Sequence, residues 1–71
     1  MNSSLRIIVP RLMELVQEMY QGQEISRAEK DNLCRCFLTG RETEAAESLR
    51  VKAFFGSAAA KDAVDVLETV M

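Results

Sequence analysis

Carboxylates stand in pairs at helical spacing along this chain, at Glu14/Glu18, Glu44/Glu47 and Asp62/Asp65. A separation of three or four residues puts both members on one helix face, and such pairs perform general acid–base catalysis when burial separates their proton affinities. General acid–base work requires burial that these positions on helix surfaces lack, so each pair reads as a solvated helix surface. The chain contains no histidine, and its three glycines are scattered rather than gathered into a phosphate-binding loop. No catalytic residue, cofactor or small-molecule substrate is expected, and hence no enzyme.

Both cysteines lie in Cys34-Arg35-Cys36. An arginine between thiols can lower their pKa, which would suit a redox or metal sensor. Residues two apart on a helix, however, point about 200° away from each other, so a bridge between them is geometrically poor. Two thiols without histidine also fall short of a structural zinc site's ligand set. The cysteines read as small hydrophobes, kept reduced in a cytoplasmic protein.

Arg6, Arg11, Arg27, Lys30 and Arg35 could compose a basic face, and the second and third helical segments have lengths that suit a helix-turn-helix. A small DNA-binding regulator is therefore the alternative function. Against it, the would-be recognition helix opens on Arg41-Glu42-Thr43-Glu44 and continues through Glu47, with carboxylates where phosphates would sit. The basic residues are themselves interleaved with Glu14, Glu18, Glu24 and Glu29. A net charge of −2, from 9 basic and 11 acidic residues, adds no attraction for nucleic acid.

The elements that carry these residues follow from apolar spacing. Leu5, Ile8, Leu12, Leu15 and Met19 recur every three or four residues and form a seam on one helix. Val9, Met13, Val16 and Tyr20 widen the apolar arc to roughly 160°, against about 100° for a helix facing one core. That surplus asks for two neighbours. Pro10 leaves two readings open: it kinks this helix, or it is the first helical residue after an extended lead-in.

Gly22 is a natural end for the first helix. Ser26-Arg27-Ala28-Glu29 matches the capping box that starts a second, with Ile25 as a hydrophobic staple. Leu33/Phe37 and Cys34/Leu38 place apolar pairs on one face of it. The third segment carries apolar residues on two sides: Ala45, Ala46, Leu49 and Ala53 on one, Val51, Phe54 and Phe55 on the other. Ser57 caps a fourth, alanine-rich helix that could pair with the third as a hairpin through small side chains. The expectation is a single all-α domain over 1–71, a helical-hairpin type of bundle with helices at roughly 5–21, 27–39, 41–55 and 58–71.

Hydrophobic residues make up 48% of the chain but aromatics only 6%, so the core must be aliphatic. No apolar run approaches the length of a membrane span, and the opening residues lack the pattern of a secretory signal. In size, acidity and helical-hairpin content the chain is similar to small co-chaperones of secretion subunits and to phage- or plasmid-encoded inhibitors of host factors. These are likenesses of architecture without a shared motif. The expected function is a non-catalytic protein-interaction module: an adaptor, co-chaperone or inhibitor. The surfaces expected to bind another protein, or a second copy in a homodimer, are the Leu5, Ile8, Leu12, Leu15, Met19 seam and the Val51, Phe54, Phe55 face.

Overall fold

Four helices form: α1 (Ser3–Gln21), α2 (Arg27–Leu38), α3 (Glu42–Phe54) and α4 (Ala58–Glu68). The computed structural model describes residues 3–71, so Met1 and Asn2 of the expected 1–71 domain lie outside the described residues. The architecture is a small all-α bundle. α1 packs against α2 and α4, and α3 packs against the same two, so that α1 and α3 lie diagonally across the bundle. At a rise of 1.5 Å per residue α1 is about 28 Å long, close to the molecule's longest dimension of 30 Å. It is the spine on which the shorter helices are laid.

Pro10 lies inside α1, which removes the reading in which it begins the helix. Its side is exposed, away from the packed seam. The 160° apolar arc of α1 is used by its two neighbours, α2 and α4. Leu5, Leu12, Leu15, Val16 and Met19 are all buried, together with Phe37 of α2, Leu49 of α3 and Leu67 of α4. α3 and α4 pack against each other, and both turn small residues inward, Ala45 and Ala46 from one and Ala60 and Ala63 from the other. Alanines at such a contact let two backbones approach closely.

The short connections are set by how each helix stops. After α1, the Gln23 N–H donates to the Tyr20 carbonyl at 3.1 Å and the Glu24 N–H to the Met19 carbonyl at 2.9 Å. The Arg41 N–H reaches the Cys36 carbonyl at 2.8 Å after α2, and the Ser57 N–H reaches Lys52 at 3.1 Å after α3. The bonds from Glu24, Arg41 and Ser57 are the six-residue closures of a Schellman end and that from Gln23 is its inner bond; such an end needs one residue in the left-handed region. Gly40 (φ 75°) and Gly56 (φ 103°) fill that place in two ends, but in the first it is Gln23 (φ 61°), not the expected Gly22.

The next helix starts just beyond each stop. Ser26 and Glu29 form the expected capping box: the Glu29 N–H donates to Ser26 Oγ at 3.1 Å, and the Ser26 N–H to Glu29 Oε1 at 3.0 Å. Ser57 Oγ accepts the Ala60 N–H at 3.1 Å and donates to Glu24 Oε1 at 3.1 Å. That second bond ties the α1–α2 connection to the start of α4. α3 begins at Arg41 without a side-chain cap, and α4 stops three residues short of the expected 71.

Candidate protein-binding surface

Ala45, Ala46 and Leu49 take α3 into the core. Val51 follows Leu49 by two residues, a rotation of about 200°, and is therefore carried to the far side. Phe54 and Phe55 follow on the same side and stand 84% and 80% exposed. Their rings meet edge to face, centroids 5.4 Å apart and planes at 88°. This is a favourable aromatic geometry that presents one continuous apolar projection.

The projection stands on a braced corner. Lys52 Nζ reaches back to Glu29 Oε2 of α2 at 3.0 Å, and Phe55 is immediately followed by the Gly56 turn and the Ser57 cap. A recess of about 340 Å³ opens beside it, lined by Glu24, Val51, Lys52, Phe55 and Ser57. The aromatic pair thus sits at the C-terminal end of α3 with an open recess alongside.

The seam read as the other binding surface is corrected by the structure. Leu5, Leu12, Leu15 and Met19 are core residues with essentially no exposed surface, and Ile8 is half-buried. The spacing was right about the face; α2 and α4 occupy it in place of a partner. Val51, Phe54 and Phe55 remain at the surface because α3 has its own two neighbours on the opposite side. The two expected patches are therefore not brought together.

Ile7, Leu38 and Met71 are also exposed. For Leu38 the expected pairing with Cys34 misled, since the buried stripe of α2 is Leu33, Cys36 and Phe37. Residue 38 lies about 100° further round the helix from Phe37.

The remaining candidate chemistry is dispersed. The Glu14/Glu18, Glu44/Glu47 and Asp62/Asp65 pairs face solvent, and Glu14 is engaged by Arg11 at 3.2 Å. Cys36 is buried with its thiol 4.0 Å from Glu44. Burial pushes the Cys34 thiol up, away from the thiolate that redox and metal chemistry uses. Both cysteines are free, and among the described residues no group of three or more His, Cys, Asp or Glu side chains could hold a metal ion.

Arg6, Arg11, Arg27 and Arg35 are exposed on two helices. Lys30 is half-buried, with its ammonium 4.6 Å from the centroid of the Tyr20 ring. The first turn of α3 carries Glu42 and Glu44. No described helix is long and apolar enough to cross a membrane. Comparison with protein-family models, curated proteins and solved structures finds no match for this chain.

Proposed function

We propose that this chain is a non-catalytic protein-binding module, of the adaptor, co-chaperone or inhibitor kind, whose contact surface is the Val51, Phe54, Phe55 projection of α3. The observation that carries this reading is the placement of two of the chain's three phenylalanines outside the core. Burying such a side chain is worth about 1.5–3 kcal/mol, a large sum to leave unused in so small a domain. Exposed aromatics on a fixed helix are what an interface anchor requires. A reducing, cytoplasmic setting fits two unpaired cysteines.

A photo-crosslinking residue at Phe54, with a control at exposed Asp62, tests the reading in the source cell. A discrete adduct from position 54, absent from position 62 and lost on adding Phe55→Asp, is the expected result. A folded probe protein that gives no adduct at position 54, or the same adduct at both positions, would remove it.

A further inference from the structure

The exposed side of α3 changes character along its length. Glu44 and Glu47 occupy its N-terminal part, and Val51, Phe54 and Phe55 its C-terminal part. At about 100° per residue all five fall within an arc of roughly 100°, so an elongated partner lying along α3 meets both zones. Among the described residues, the Glu44 carboxylate is engaged only by the Cys36 thiol and the Arg41 guanidinium, each at 4.0 Å. The Glu47 carboxylate makes no hydrogen bond or ion pair with any described residue. Charges so placed beside an apolar anchor favour a cationic partner and oppose an anionic one.

Resting on the binding role given to α3 above, we propose that this face seats an amphipathic helix of another protein, running antiparallel to α3. The partner helix sets apolar residues at i, i+3, i+4 and i+7 in its N-terminal half against Val51, Phe54 and Phe55. Lysines or arginines in its C-terminal half stand against Glu44 and Glu47. The antiparallel direction follows from the charges, because cations at a helix C-terminus also suit that helix's own dipole. In the parallel direction they would oppose it.

A second copy of this chain fits the face less well. A two-fold axis through the apolar zone pairs the phenylalanines with one another and carries each acidic zone past the end of the other copy's α3. The last cation there, Lys52, is already held by Glu29 at 3.0 Å. Moving the axis toward the N-terminus sets Glu47 against Phe54, carboxylate against carboxylate, or Glu47 against Arg50, a cation that Glu68 already engages at 3.9 Å. At roughly 150–250 Å² for an aromatic side chain, the three apolar residues offer about 500 Å². That falls short of the ~800 Å² per partner of a standard stable interface for a second copy and a foreign helix alike, so the charges, and not the area, separate the two.

The test is selection of a displayed library of 18-residue amphipathic helices on the full chain, followed by fluorescence anisotropy of the most enriched peptide and light scattering of the chain alone. Enriched peptides should gather Lys and Arg in their C-terminal half. Their affinity should fall at least tenfold on Phe54→Ala, and about three- to tenfold at low salt on joint Glu44→Gln and Glu47→Gln, the range expected for two exposed ion pairs. Phe54-dependent peptides with no cation preference would overturn the inference and leave the protein-binding role standing. Peptides indifferent to Phe54 would overturn both. A stable dimer dissolved by Phe54→Asp would overturn the foreign helix in favour of a second copy.

Discussion

Glu29 makes one carboxylate serve two elements. Oε1 accepts the Ser26 N–H at the start of α2, and Oε2 holds Lys52 of α3. Its pKa lies below the ordinary glutamate value of 4.5, first because of the Ser26 backbone hydrogen bond and next because of the hydrogen bond from Lys52. A carboxyl whose pKa is depressed by folding contributes stability at pH above its unfolded-state value. That contribution is lost as pH falls through the lower, folded-state value. Glu29→Gln keeps the capping geometry and removes the charge. It should therefore lower stability at pH 7 by on the order of 0.5 kcal/mol, the scale of a solvent-facing pair. The gap from wild type should shrink below about pH 4.5 and close in stronger acid. Urea unfolding midpoints at pH 7 and pH 3 measure this, and a gap of equal size at both would show that the charge contributes nothing.

The helix ends make a second kind of prediction, because α1 stops on a residue poorly suited to its backbone. Gln23 holds φ 61° in the position that Gly40 and Gly56 hold for α2 and α3, and a side chain there costs roughly 1 kcal/mol relative to glycine. Gln23→Gly should raise stability by about 0.5–1 kcal/mol in urea titration, and a loss would mean that the side chain contributes something the backbone geometry does not show. The same end marks where the sequence stops being legible. The capping box at Ser26 and Glu29, the Ser57 cap and the all-α class could be read from residue types, because those signals are local. Gly22 pointed to the right loop but the wrong residue, since a Schellman end can place its left-handed residue one position past a glycine. The start of α3 carries no side-chain signal at Arg41. Periodicity measures how wide an apolar arc is and says nothing of what covers it. By spacing alone the α1 seam and the second α3 face are alike; α2 and α4 cover the first, and solvent meets the second.

Taken whole, the molecule is small enough for binding to dominate its thermal behaviour. A 71-residue chain with one aliphatic core has about 3–5 kcal/mol of net stability, and Phe37, not Phe54 or Phe55, belongs to that core. Removing an exposed ring changes stability by about 0.5 kcal/mol or less, so Phe54→Ala should melt with the free wild-type chain. A helix bound to α3 at a hundred times its Kd adds about 2.7 kcal/mol. At roughly 4–8 °C per kcal/mol for a domain of this size, that lifts the wild-type Tm by about 10–20 °C. If Phe54→Ala weakens the complex tenfold, the same peptide concentration supplies only about 1.4 kcal/mol, and the shift falls to about half. Scanning calorimetry of both chains, with and without the selected peptide, reads all four values. A full shift in the variant would place the peptide elsewhere on the bundle, and a lower Tm in the free variant would mean that Phe54 holds the fold together and is not held in reserve for a partner.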